Sequence, residues 1–446
     1  MDRRWILTGS GLAVLVGMAS GLASGLFLIT LATATNAQTR YPWLLYLLPL
    51  AGAAIAWSYQ GYGKTAAGGN NLILDQIHSA DHANRVPFRM LPLVLASTVL
   101  THLFGGSAGR EGTAVQMGGA LASSFARVLR LSPHHLRIML MCGVSGGFSS
   151  VFGTPLAGTV FGMEVLAVGG MRYDALIPCL IAAVTGNLVV NWLGVHHGIY
   201  AISATIPEMT PRVIVLVVFA SIGFGLASLL FAEATAFVEY ASRRLVTNGI
   251  LRTFLGGFVV IGLTLAFGTR LYNGLSLPLL ADCFAGAPIP TFAFLFKLVL
   301  TAVTLGVGFK GGEVTPLFVI GATLGVTLAG PLGLPPDFLA ALGFVAVFAA
   351  AANTPVACVA MGAELFSTPG IIFFGIAVFV AYTISGHRGI YHSQRVISAK
   401  HVHLSSPLVG ASLQEIRSQR RSLRAHAGTL TKRRADLRTD IGSTTQ

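Results

Sequence analysis

Charge is what this chain lacks most: 10% of its 446 residues are Asp, Glu, Lys or Arg, against 54% apolar residues and a mean hydropathy of +0.73. A soluble domain carries about 25% charge, so a water-exposed globular fold is excluded. Cysteine is scarce as well. Cys142, Cys179, Cys283 and Cys358 lie in or beside apolar segments with no CxxC spacing, which argues against a disulfide framework or a thiolate metal site and leaves them as small packing residues. A P-loop, a His/Glu zinc-helix motif and a dinucleotide fingerprint are also missing. No ATP-driven pump is supported, and neither enzymatic activity, cofactor nor metal is expected.

What fills the chain instead is a series of long, weakly charged runs, among them 5–34, 41–57, 136–152, 175–193, 213–237, 253–267, 291–307, 316–332, 338–352 and 371–385. A helix needs about 20 residues to cross the hydrocarbon. Several runs fall short, which predicts an all-α polytopic membrane protein with many tilted, broken or half-spanning helices. The first run is too long for a signal-peptide core of about 7–15 residues and is expected to be retained. The formal charge of +13 does not point to nucleic acid. From His387 onward eleven Lys/Arg stand against Glu415, Asp436 and Asp440, without the aromatic interleaving of an RNA-binding tail. Basic residues flanking the last apolar run, together with Arg3 and Arg4, place both termini on the cytoplasmic side by the positive-inside rule, where they would meet anionic lipid. After Val409 the tail is polar and Arg-rich, and disorder is expected.

The chain also repeats itself. TPLAGTVFGMEVL at 154–166 returns as TPVACVAMGAELF at 354–366, and GREGTAVQMGGA at 109–120 returns as GGEVTPLFVIGA at 311–322, aligning Glu111 with Glu313 and Thr113 with Thr315. Two landmarks in the same order imply a duplicated half: residues 1–210, then 211–395, with 396–446 as a basic cytoplasmic tail. Transporters built this way hold substrate near the midplane with discontinuous helices. Glycine-rich stretches at 66–71, 105–113 and 308–316 each precede a helical segment. Glycine lets the backbone approach a ligand, and a helix start presents free N–H groups to an anion. Close helix packing is the competing reason for such glycines.

GREGT at 109–113, GVSGGFSSVFGTPLAGTVFGMEV at 143–165, GGEVTPLF at 311–318 and GIYHSQR at 389–395 together resemble the CLC family of chloride channels and anion/proton exchangers. That resemblance covers nearly the whole chain to Arg395. It implies a homodimer whose subunits each carry an anion pathway, two inverted-topology repeats, and residence in the bacterial inner membrane. Three departures from chloride-transporting relatives are similar to the fluoride-specific branch, which exports fluoride in exchange for protons: Asn70 and Asn71 where Ser and Gly are usual, Thr113 in place of Pro, and Val314–Thr315 in place of Phe and its neighbour. The resemblance makes Glu111 the gating and proton-coupling glutamate. It places Asn70, Gly109, Arg110, Gly112, Val314, Thr315 and Tyr391 at the anion site, with Asn71, Thr113 and Glu313 secondary. The donors of Asn70, Thr315 and Tyr391 suit a small, tightly hydrated anion, and an ionisable group at membrane depth is expected to be functional. Arg110 is expected to pair or snorkel nearby.

Chloride/proton exchange, or a passive anion channel of the same fold, remains the alternative. A remoter rival, an intramembrane serine protease, rests on the string GVSG at 143–146 and needs His102 to activate Ser145. Glu164 and Glu364 occupy equivalent places in the two repeats, which fits helix capping as well as transport. The second glutamate of chloride/proton exchangers falls near His196 and His197, expected to be a loop-facing pair.

Overall fold

A computed structural model describes residues 3–79, 85–198, 200–203, 206–366, 368–400 and 409–419. Among the described residues there are sixteen α-helices, of which the first eight are α1 (Arg3–Arg40), α2 (Leu48–Ser58), α3 (Gly69–His78), α4 (Met90–Leu103), α5 (Glu111–Val128), α6 (Pro133–Phe152), α7 (Pro155–Glu164) and α8 (Leu176–Trp192). The second half runs α9 (Pro211–Leu245), α10 (Gly249–Ala266), α11 (Leu277–Ala285), α12 (Ala293–Gly306), α13 (Val314–Leu332), α14 (Pro336–Ala352), α15 (Pro355–Phe366) and α16 (Ile371–Ile384). Six stretches of the described residues are long and apolar enough to cross a membrane, including Gly9–Arg40, Pro211–Leu245 and Val314–Leu332. Shorter helices such as α3, α7, α11 and α15 match the half-spanning elements expected from the short runs.

Proline sets many of the starts. Pro133, Pro155, Pro211, Pro336 and Pro355 open α6, α7, α9, α14 and α15, at the turn where a missing N–H costs nothing. Ser132, Thr210 and Asn248 accept the first N–H groups of α6, α9 and α10. Gly153, Gly333 and Asn353 end α6, α13 and α14 in left-handed conformation.

The two halves meet about a pseudo-twofold relation, visible in three paired contacts. Gly109 N donates to Gly312 O at 2.6 Å and Gly312 N returns to Gly109 O at 2.8 Å, an antiparallel bridge. A Cβ on Gly118 would collide with the Gly143 carbonyl, and one on Gly321 with the Gly343 carbonyl, so α5 crosses α6 as α13 crosses α14, backbone on backbone. The carboxylate of Glu164 accepts from Val356 N and Ala357 N at 3.0 and 2.8 Å. That of Glu364 accepts from Leu156 N and Ala157 N, each at 2.8 Å. Each short helix therefore caps the other with its C-terminal glutamate, satisfying orphan amides that hydrocarbon cannot. The register differs by one residue from the sequence alignment. Gly109 faces Gly312 and Gly118 matches Gly321, so Glu111 corresponds to Val314 and Arg110 to Glu313.

α1 packs against the first half through small residues: added Cβ atoms on Gly17 and Gly21 would lie 2.6 and 2.7 Å from the carbonyls of Ala182 and Gly186 in α8. The tail departs from the expectation of disorder. β1 (Ala167–Val168) and β2 (Arg395–Val396) pair in parallel. Residues 409–419 fold back onto them, with Gly410 N on Val396 O at 2.8 Å and Leu413 N on Gln394 O at 3.0 Å. Leu413 and Ile416, three residues apart, bury one apolar edge beside Val168 and Val396, an edge too short to register within so basic a composition. Glu415 accepts from Ser412 N at 2.7 Å, which holds its carboxyl below the usual range. Residues 420–446 lie outside the described residues.

Candidate functional site

Glu111 opens α5 with its side chain 1% exposed. A carboxylate buried at membrane depth is costly unless hydrogen-bonded. Here the donors come from both repeats. Oε2 accepts from Thr315 N at 3.0 Å and from Arg110 N at 3.1 Å, and Oε1 accepts from the Thr315 hydroxyl. Arg110 Nε stands 3.6 Å from Oε1. Thr315 is the second residue of α13, so the starts of α5 and α13 both turn their free amides toward one carboxylate. The Gly109–Gly312 bridge is what holds these two starts together. A Cβ on Gly112 would lie 3.1 Å from Asn70 Nδ2 and 3.2 Å from Gly312 Cα, so glycine there lets α3, α5 and the 311–313 turn close on one another.

Glu111 lines a small cavity of about 30 Å³ together with Arg110, His197, Tyr200 and Thr315. A separate cavity of about 460 Å³ is lined by Asn70, Glu239, Lys310, Glu313 and Tyr391. Asn70 and Tyr391 also border a void of about 10 Å³ with Val115, Val144 and Phe161. That void is the narrowest of the three spaces, and Asn70 Oδ1 beside it is buried without a hydrogen-bond partner.

The structure thus brings Glu111, Arg110, Gly109, Gly112, Thr315 and Asn70 together, with Tyr391 and Glu313 on the larger cavity. Val314 is 1% exposed at the first position of α13, where it matches Glu111. Asn71 accepts from Ser393 N at 3.1 Å and so ties α3 to the Tyr391 loop. Thr113 points away, its hydroxyl 2.7 Å from that of Thr98 in α4. His197 is not simply loop-facing: Nε2 meets Ser150 O at 3.0 Å and the ring packs where a Cβ of Gly153 would fall. The protease arrangement is not assembled. Both His102 ring nitrogens face backbone carbonyls, those of Thr98 at 2.8 Å and Ala108 at 3.0 Å, and Ser145 Oγ has no partner.

Sequence reasoning passed over the phenylalanines beside the site. Phe318 stacks on Phe344 at 3.8 Å between centroids, and Phe148 on Phe161 at 4.2 Å. Their spacing looks like ordinary core, and no local signal sets them apart. Lys297 was passed over too, although one lysine in the apolar string AFLFKLVLTAVTLG is itself a signal.

Comparison with known proteins agrees with this architecture. The family described as "Voltage gated chloride channel" matches over residues 51–386. A "Chloride/fluoride channel protein" of Pseudomonas syringae pv. tomato is 50% identical over 396 residues, covering 87% of each chain. An "H(+)/Cl(-) exchange transporter ClcA" of Vibrio vulnificus is 27% identical over 421 residues, covering 85% of this chain and 87% of its own. Among solved structures, a CLC-type fluoride/proton antiporter is 34% identical with a TM-score of 0.85, covering 89% of this chain and 100% of its own. A slow cyanobacterial Cl-/H+ antiporter, 19% identical with a TM-score of 0.73, shares the fold over 86% of this chain. With the family matched across three-quarters of its length and a relative at half identity, this multi-pass membrane protein belongs to the voltage-gated chloride channel (CLC) family.

Proposed function

We propose that the protein exports fluoride in exchange for protons, and that Glu111 couples the two. The observation that carries the reading is the Glu111 carboxylate itself, held by the Thr315 hydroxyl and by amides at two helix starts, and lining the smaller cavity. Amides and a hydroxyl aimed at an oxygen anion are equally suited to a halide. Ionised, Glu111 occupies that place; protonated, its claim on the donors weakens and an anion takes them. The side chain then carries a proton one way as the anion passes the other.

Fluoride holds its water tightly, so a site that passes it must replace several close donors at once. The Thr315 hydroxyl and amide, the Asn70 amide and the Tyr391 phenol are such donors. The fluoride named for the 34%-identical solved structure supports this ion, while the name of the 50%-identical relative carries both chloride and fluoride. Glu313, on the larger cavity, is placed to pass protons or tune anion entry there. The pathway is complete within one chain, and the protein works as a homodimer in the lipid of a bacterial inner membrane. The cavity lined by Lys310, Arg243 and Gln414 is read as the cytoplasmic mouth, with both termini on that side, which the excess of Lys and Arg after His387 supports.

The test is efflux from proteoliposomes loaded with equal fluoride and chloride, followed with ion-selective electrodes. Fluoride leaves much faster than chloride if the reading holds. Comparable rates would instead mean chloride/proton exchange and an over-reading of Asn70, Val314 and Thr315.

A further inference from the structure

Lys297 is fully buried in α12, 0% exposed, and among the described residues it forms no ion pair. An ammonium in such a place needs its three protons taken. Nζ donates to four oxygens: Ser107 Oγ at 3.0 Å, Tyr272 O at 3.1 Å, Gly274 O at 2.8 Å and Ser276 Oγ at 2.9 Å. The last three belong to the turn before α11. The first belongs to the segment that leads into Glu111.

That segment, Gly105 to Gly109, is pinned at every residue. Asn273 Nδ2 donates to Gly105 O at 2.6 Å, and Gly274 N to Gly106 O at 3.1 Å. Ser107 N donates to Thr304 Oγ1 at 3.2 Å, and its hydroxyl sits 2.8 Å from that of Thr301. His102 Nε2 faces Ala108 O at 3.0 Å, and Gly109 bridges Gly312. Lys297 hydrogen-bonds both this segment and the 272–276 turn that braces it.

We propose that Lys297 is a positioning residue for the pathway. By tying Ser107 to the 272–276 turn it fixes the segment that aims Glu111 at Thr315, and so governs which anion passes and how tightly protons are coupled to it. The inference rests on the exchange reading above. It is distinct from a packing role, since a lysine that only filled space would be replaced by methionine without changing selectivity.

The experiment reconstitutes the wild type beside Lys297→Met, Lys297→Arg, Ser107→Ala and Ser276→Ala, and reads the fluoride-to-chloride rate ratio and the protons moved per fluoride. A wild type that moves no protons with fluoride refutes the exchange reading, and the inference falls with it. Given a coupled wild type, Lys297→Met lowers the rate ratio by about 10- to 100-fold, the scale on which removing an outer-shell partner acts at ligand sites, and lowers protons per fluoride. Lys297→Arg keeps the charge and retains part of both. A methionine variant with wild-type ratio and coupling overturns the proposal, even if its rate or thermal stability falls. Should Lys297→Met fail to fold, the two alanine variants decide: each removes one of the oxygens that hold Nζ, and wild-type ratio and coupling in both overturns it.

Discussion

Replacing Thr315 with valine removes one hydroxyl and changes the volume little. That hydroxyl donates to Glu111 Oε1, which otherwise has only Arg110 Nε at 3.6 Å, while Oε2 keeps Thr315 N and Arg110 N at 3.0 and 3.1 Å. A hydrogen bond to a charged group contributes about 1.5–3 kcal/mol, and each 1.36 kcal/mol is about tenfold in rate. The same hydroxyl is a proposed donor to fluoride, so its loss weakens the hold on the passing ion and the fluoride rate falls by about 10- to 100-fold. Initial fluoride efflux from proteoliposomes measures this, with Thr315→Ser as the variant that keeps the hydroxyl and returns toward wild type. A valine variant with the wild-type rate would refute the reasoning, since the hydroxyl would then contribute nothing to the site.

Two further predictions concern the frame. Gly321→Ala drives a methyl into the Gly343 carbonyl at the α13–α14 crossing; overpacking of this kind costs about 1–3 kcal/mol, so the melting temperature in detergent falls, and an unchanged one would mean the helices part freely. Glu364→Ala and Glu164→Ala each strip two amides of their acceptor. Each should cost about 1–2 kcal/mol, as lost helix caps do, leaving the fluoride-to-chloride ratio alone; a changed ratio would place these glutamates in transport instead of in the cap.

Much of this fold is legible in the sequence because a membrane admits few solutions. Low charge and long apolar runs dictate helices, and Pro and Gly mark where they start and stop. Glu111 stands out because it follows Arg110 at the start of an apolar helix, where a buried carboxylate is costly unless hydrogen-bonded. The register between the halves is less legible, because GREGT and GGEVT match best with Glu111 on Glu313, sharing Gly, Glu and Thr, whereas the paired backbones of Gly109 and Gly312 put Glu111 on Val314. Lys297 escaped for a different reason. Its partners are carbonyls and hydroxyls of a turn at 272–276 and a loop at 105–109, so its role exists only in three dimensions. The 409–419 segment was misjudged since composition averages over Leu413 and Ile416, the two residues that anchor it.

Proton movement driven by a fluoride gradient tests the central claim most directly. In proteoliposomes with fluoride inside and an internal pH dye, the account predicts acidification of the lumen as fluoride leaves through the wild type. It also predicts that Glu111→Gln, which keeps the shape and loses the titratable group, uncouples or abolishes that movement. Proton flux at the wild-type rate in the glutamine variant would contradict it.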